Sequence, residues 1–258
     1  MLKTIGSDME LFAKNTNEEH IALCGKIGGS KEAPKKLTKF GRGFAIQEDN
    51  VAFEFNIPAS NTEQQFVNCF KTMRHEIKSI LNKLDLVTST KSSVSFDKMQ
   101  LTHPNALVFG CEPDYNIWSM KENKKPQTKD ENLRTAGGHI HIGSDIPFIN
   151  GVRNMDLFLG VPSIIMDNNE ASNTRRKLYG KAGAMRPKPY GWEYRVLSNF
   201  WMWNNELVSW VFQQSKLACQ YPHKITKDEG KKIETCINTG DINLAQTICN
   251  QYKINVLA

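Results

Sequence analysis

Three stretches of the chain alternate between apolar and polar positions, and each predicts an extended strand with a distinct polar face. "MLKTIGSDMELFAK" (residues 1–14) sets Asp8 and Glu10 on one side. "NVAFEFNIPAS" (50–60) places Val51, Phe53 and Phe55 on one face and Ala52, Glu54 and Asn56 on the other. "RTAGGHIHIGSD" (134–145) points His139 and His141 one way and Ile140 and Ile142 the other. Its Gly137–Gly138 step allows backbone or a ligand to approach closely.

Other segments follow the helical period. Ser60-Asn-Thr-Glu63 has the form of a capping box, and Phe66, Phe70, Met73, Ile77, Ile80, Leu81 and Leu84 then recur at helical spacing to about residue 84. Residues 87–101 and 105–119 read as further extended runs. Residues 151–166 read as an apolar helix that Pro162 kinks or ends, and a helix is predicted over about 204–218. Two short helices close the chain, one announced by Thr226-Lys-Asp-Glu229 and one starting near Asp241. The stretches 25–43 and 121–133 are polar loops. Strands interleaved with isolated helices, without strict alternation, predict an α+β fold with an antiparallel or mixed sheet and helices on one face.

Composition sets limits on this picture. With 258 residues and 40% hydrophobic side chains, the chain can bury an ordinary core, and residues 1–258 are expected to form a single domain. Thirty-three basic against 27 acidic residues give a formal charge of +6, enough to steer an anion and too little to require nucleic acid. Six cysteines stand singly with no C-x-x-C pair, which predicts reduced thiols and a cytoplasmic setting. No apolar run approaches the ~20 residues of a membrane span, so no membrane role is expected. The lysine- and glycine-rich segment 25–43 matches neither G-x-x-x-x-G-K-[ST] nor G-x-G-x-x-G, and reads as a solvated basic loop.

Four polar clusters remain as candidate chemistry: Asp8 with Glu10; Glu54; His139 with His141; and Glu193-Tyr194-Arg195, preceded by Arg175, Arg176, Lys181 and Arg186. Each has a plain structural alternative, such as an exposed edge or a solvated face. Taken together they make a chemical case. Carboxylates that share a site repel one another and drift toward protonation unless a cation neutralises them, so their convergence implies bound metal. Oxygen-rich ligation with imidazole and without thiolate favours Mg²⁺ or Mn²⁺ over structural zinc. Guanidinium groups beside such a site suit phosphate oxygens or a substrate carboxylate.

In order, "GSDMELF", "VAFEFNIPAS", "FGCEPDYNIW", "RTAGGHIHIG" and "RRKLYGKAGAMRPKPYGWEYRVLSNFW" resemble the phage-encoded carboxylate–amine ligases of type 2, within the glutamine synthetase and glutamate–cysteine ligase superfamily. The resemblance covers about residues 5–203, with residues 204–258 as a helical tail outside it. It implies a glutamine synthetase catalytic-domain-like fold: a curved, mainly antiparallel sheet with helices on the outer face and ATP with Mg²⁺ or Mn²⁺ on the inner one. It implies metal ligation by Asp8, Glu10, Glu54, His139 and Glu193, and nucleotide contacts from His141, Lys181, Arg186 and Arg195. Arg176, Arg186 and Arg195 are the implied catalytic arginines, at phosphate or at the carboxylate undergoing activation.

The implied reaction activates a substrate carboxylate as an acyl phosphate and joins it to an amine, giving an amide or peptide bond. Small-molecule or peptide carboxylates and amines would be the partners, in the cytoplasm of the host if the chain is phage-encoded, and oligomeric state stays open. The first motif departs from the expected "GCDPE" by reading "GSDME", yet keeps both acids. "GCEPD" further on resembles that motif more closely, so Glu112 and Asp114 are either added ligands or a β-turn around Pro113. Two other readings of the chain are a phosphotransferase on the same fold and a non-enzymatic protein that binds through its basic loop.

Overall fold

A computed structural model describes residues 1–107, 114–124 and 126–257. Six strands form the centre of the sheet: β1 (Leu2–Lys14), β2 (Ala45–Asp49), β3 (Ala52–Ser60), β4 (Gly138–Ser144), β5 (Ala184–Lys188) and β6 (Gly191–Tyr194). Their order is β2-β3-β1-β4-β6-β5, every pairing is antiparallel, and the sheet is open. Short strands extend both edges, Lys35–Lys36 beside β2 and Tyr115–Asn116 with Lys121–Glu122 beside β5. The fold is α+β with a large antiparallel sheet, as the segment pattern predicts.

Alternation along the strands separates two faces. Ile5, Met9 and Leu11 of β1, Phe53 and Phe55 of β3, Ile140 and Ile142 of β4, and Trp192 and Tyr194 of β6 all enter one apolar core. Helices α1 (Glu63–Asn82), α2 (Phe148–Met155) and α5 (Asn205–Gln220) pack against β3, β6 and β1 to cover that face. Phe66 and Phe70 of α1 meet Trp201, with ring centroids 6.1 and 4.9 Å away. The opposite face carries Asp8, Glu10, Glu54, His139, His141 and Glu193. A smaller core of Phe12, Val51, Ala52, Val94, Phe96, Leu101, Ala106 and Ala136 adjoins it.

Several elements fall elsewhere than predicted, each for a local reason. The cap of α1 is Thr62 with Gln65, two residues beyond the expected box, because Ser60 still pairs with Ile5 in the sheet. The apolar helix runs as α2, a wide turn over Asp156–Gly160 and α3 (Val161–Met166). Proline lacks an N–H, and just before Pro162 the ladder widens so that Val161 N–H donates to the Asp156 carbonyl five residues back. An unpredicted helix, α4 (Glu170–Leu178), starts at the Asn169 cap. Of the extended run 87–101, only Val87–Ser89 and Ser93–Ser95 are strand; Lys98–Leu101 is a tight helical turn. Within the run 105–119, residues 108–113 lie outside the described residues, and of the rest only Tyr115–Asn116 is strand.

The capping box at Thr226 and Glu229 starts α6 (Lys227–Thr239), and Asp241 caps α7 (Ile242–Tyr252), both as predicted. Helix α5 adds Val208 and Trp210 to the main core, and these two C-terminal helices add Ile233, Ile237 and Ile248. Among the described residues no helix is long and apolar enough to cross a membrane.

The double glycine preceding His139 is a packing requirement. A Cβ on Gly138 would lie 2.3 Å from the Ser198 carbonyl oxygen and 2.5 Å from Trp201 Nε1; one on Gly137 would lie 2.4 Å from His139 Nε2. Gly138→Ala is expected to destabilise the protein by about 1–3 kcal/mol, the usual cost of overpacking, visible as a Tm lowered by several degrees. An unchanged Tm would show that the contact relaxes freely.

Candidate active site

Strand register brings the acids together. On β1, Asp8 pairs with His139 of β4 and Glu10 pairs with Glu54 of β3; on β4, His141 pairs with Glu193 of β6; on β2, Gln47 pairs with Glu54. Residues 185 positions apart thereby share one patch. Two groups offer ligand atoms that all lie within 4.8 Å of one another: Asp8, His141 and Glu193, and Glu10, Asp49 and Glu54. His139 sits between them, its Nδ1 3.4 Å from Asp8, 3.9 Å from Glu193 and 4.0 Å from Glu10. His141 Nε2 lies 3.1 Å from Asp8 and its Nδ1 2.6 Å from the Tyr190 hydroxyl. Glu10 is fixed from outside the cluster, its carboxylate accepting from Gly137 N–H at 2.6 Å.

The electrostatics divide the acids into two classes. Burial pushes Glu54 up to about 9, reinforced by Asp8, Glu10 and Asp49, so it holds a proton at neutral pH. Asp49 is pushed up to about 6 by the protein crowded around it and by Glu10, although its outer edge is exposed and water moderates the effect. Burial also opposes ionisation of Asp8, but His139 and His141 outweigh it and hold the carboxyl well below its usual range. Burial and Asp8 oppose ionisation of Glu193 as well; Arg195, His139 and Lys188 overcome both and bring it down to about 2. Asp8 raises His141 against the effect of its burial.

This arrangement fits a divalent cation. Asp8 Oδ1 and Glu193 Oε2 are fully buried without a well-formed hydrogen bond, despite cationic neighbours at 3.1 and 2.9 Å. An acid kept protonated by its neighbours is the other sign of missing positive charge. Among the described residues the donors are carboxylate oxygens and imidazole nitrogens, without thiolate, which suits Mg²⁺ or Mn²⁺.

Beside the acids opens a cleft whose wall includes Glu10, Asp49, Asp114, His139, Arg175 and Arg195. Arg195 pairs with Glu193, and its Nε lies 3.5 Å from Asp114. Arg175, from α4, is 2% exposed; it donates to the Val196 carbonyl at 3.0 Å and to the Arg195 carbonyl at 3.4 Å, and its buried Nε has no partner among the described residues. Burial brings this guanidinium down to about 10.

The structure thus gathers Asp8, Glu10, Glu54, His139, His141, Glu193, Arg186 and Arg195 in one place, with Arg186 3.6 Å from Glu193. Arg176 lies elsewhere. It is locked to Asp167, 3.4 Å away, and to Asn173 at 2.8 Å. Successive helical residues point about 100° apart, so in α4 Arg175 takes the cleft and Arg176 the interior. Lys181 is exposed and is not part of the cleft wall. Of the second acidic motif, Asp114 joins the cleft and Glu112 lies outside the described residues.

Two residues, Asp49 and Lys188, escaped the sequence reading, and Arg175 was named there without a role. Asp49 follows Glu48 in what looks like a polar turn, and only the β2–β3 hairpin brings it beside Glu54's neighbours. Arg175 could not be told from Arg176 without α4. Lys188, two residues after Arg186 on β5, shares its face and reaches Glu193 at 2.9 Å, a signal that i, i+2 spacing carries.

Residues 132–238 match the family model described as phage phiEco32-like COOH.NH2 ligase, type 2, the family that the motifs resemble. The match covers β4, β5, β6 and the cleft arginines and runs past residue 203 into α6. No curated protein matches the chain significantly. Similar solved structures include a novel glutamine synthase homolog (12% identity, TM-score 0.44, covering 98% of this chain and 66% of that one). Another is apo GmaS without ligand (7% identity, TM-score 0.43, covering 99% and 70%). The chain therefore spans about two thirds of the length of these relatives.

The raised Glu54 carboxyl has a measurable consequence. A group whose pKa is higher folded than unfolded binds more protons in the folded state between the two values, so its contribution to stability falls as pH rises from about 4.5 to about 9. With a chelator present, Glu54→Gln should raise Tm relative to the parent at pH 8 and gain little at pH 4.5. An equal effect at both pH values would contradict a protonated Glu54.

Proposed function

We propose that this protein is an ATP-dependent carboxylate–amine ligase requiring Mg²⁺ or Mn²⁺, which activates a carboxylate as an acyl phosphate and transfers the acyl group to an amine. The observation that carries this reading is the joining of two carboxylate groups and a histidine pair to a cleft that holds Arg175 and Arg195. The family match over residues 132–238 supports the same reaction class.

The chemical obstacle is that a polyphosphate and a carboxylate, both anionic, must meet. Divalent ions held by Asp8, Glu10, Asp49, Glu54, Glu193 and the histidines would supply the charge neutralisation and polarise the phosphoryl oxygens. Arg175 and Arg195 hold the substrate carboxylate. Arg175 suits that role because it is buried, fixed through backbone carbonyls and left with an Nε that no described residue pairs. Arg186 and His141 face the phosphates. A carboxylate oxygen attacks the terminal phosphorus, the bond to the ADP oxygen breaks, and charge developing on the transferred group meets guanidinium groups already in place. The amine nitrogen then attacks the acyl carbon, phosphate departs, and the nitrogen loses a proton to a neighbouring carboxylate or to water. The substrates are small molecules or peptides bearing a carboxylate and an amine.

Incubation with ATP, Mg²⁺, a pool of amino acids and short peptides, and hydroxylamine should release ADP and trap the activated acyl group as a hydroxamate. Glu193→Ala should reduce both products at least about a hundredfold, the scale of losing one pre-organised charged contact in such a site. ADP formation that survives this substitution would refute the reading. A stable phosphorylated product without amide would identify a phosphotransferase instead.

A further inference from the structure

Positive charge is unevenly distributed around the acids. Glu193 alone faces three permanent cations: Arg195 and Arg186 at Oε1 and Lys188 at Oε2. Glu10, Asp49 and Glu54 crowd one another instead. Lys188 is opposite Gly191 in the β5–β6 register, so its chain crosses diagonally to reach Oε2 of Glu193 two residues along, a residue whose carboxylate also belongs to the group of donors it forms with Asp8 and His141. Its side chain is 30% exposed against 1% for Glu193. The lysine can therefore withdraw toward solvent, and the carboxylate cannot.

We propose that Lys188 is a resident counter-ion that holds the place of a divalent cation at Glu193, and that the entering cation displaces its ammonium toward the phosphate-binding side of the site. The inference rests on the ligase reading for the identity of the anion that Lys188 then meets. Without metal, Glu193 is a buried carboxylate that would carry a large desolvation cost unpaired, and Lys188 offsets it. Once a dication takes Oε2, the ammonium is repelled by it. With Arg186 on the same strand face, it then becomes a contact for an anionic ligand. One side chain thus weakens binding of the first ligand and strengthens binding of the second, a pairing that an ordinary structural lysine does not produce.

The test is equilibrium binding by the full chain. Free Mn²⁺ is titrated by electron paramagnetic resonance, first with Mn²⁺ alone and then with inorganic tripolyphosphate at saturating Mn²⁺. Lys188→Gln should tighten Mn²⁺ binding and weaken tripolyphosphate binding, each roughly tenfold, the scale of one charge-assisted contact. Lys188→Arg keeps the charge and should leave Mn²⁺ affinity within a few-fold of the parent, which controls for disruption of the fold. Mn²⁺ binding that is unchanged or weaker in Lys188→Gln overturns the inference and leaves the ligase reading standing. Absence of Mn²⁺ binding by the parent overturns both. Tightened Mn²⁺ binding in a protein that forms no hydroxamate upholds the displacement and removes the ligase reading.

Discussion

Five carboxyl groups stand within reach of one another on one face of the sheet, and like charges at that spacing in a partly buried site cannot all be ionised unaided. Every other feature of the site answers that constraint. His139 and His141 stabilise Asp8, three permanent cations hold Glu193 ionised, and Glu54 escapes by keeping its proton. A protein that gained nothing from this repulsion would not assemble it from four separate strands. A small, hard cation is the kind of ligand that would relieve that repulsion.

The scaffold is built to hold the acids against one another. Each carries its neighbours on the opposite face into the core: Met9 between Asp8 and Glu10, Phe53 and Phe55 around Glu54, Trp192 and Tyr194 around Glu193. A one-residue slip of any strand would exchange an acid for a buried hydrophobe, so the core fixes the register and the register fixes the site. Gly137 and Gly138 close the end of β4 tightly, and the Gly137 N–H holds Glu10. The cleft arginines come from a different source, α4 and the segment after β6, so the basic half of the site is anchored separately from the acidic half.

Much of this was legible in the alternation of β1, β3 and β4, because a period of two assigns faces without any tertiary knowledge. What escaped depended on tertiary placement. Asp49 ends a strand whose pattern is unremarkable and acts only through a hairpin. Arg175 and Arg176 are adjacent, and helical phase alone decides which is in the cleft. Thr62 and Ser60 are both competent caps, and the pairing of Ser60 in the sheet decides between them. The lysine expected at 181 is exposed, whereas Lys188 reaches Glu193 because it lies two residues from Arg186 on a strand. Local chemistry named the kinds of residue, and long-range register chose among neighbours of the same kind.

On the proposed function, these acids are gathered to receive divalent cations. The most direct measurement is the thermal midpoint as Mg²⁺ is raised at pH 8, for the parent and for Asp8→Asn. Binding to the folded state alone adds RT ln(1 + [L]/Kd), about 2.7 kcal/mol at a hundred times Kd, so the parent's Tm should climb by several degrees and then rise with the logarithm of concentration. Asp8→Asn should show little of that rise. A parent midpoint that does not move with Mg²⁺, or one that moves equally in both proteins, would contradict the claim.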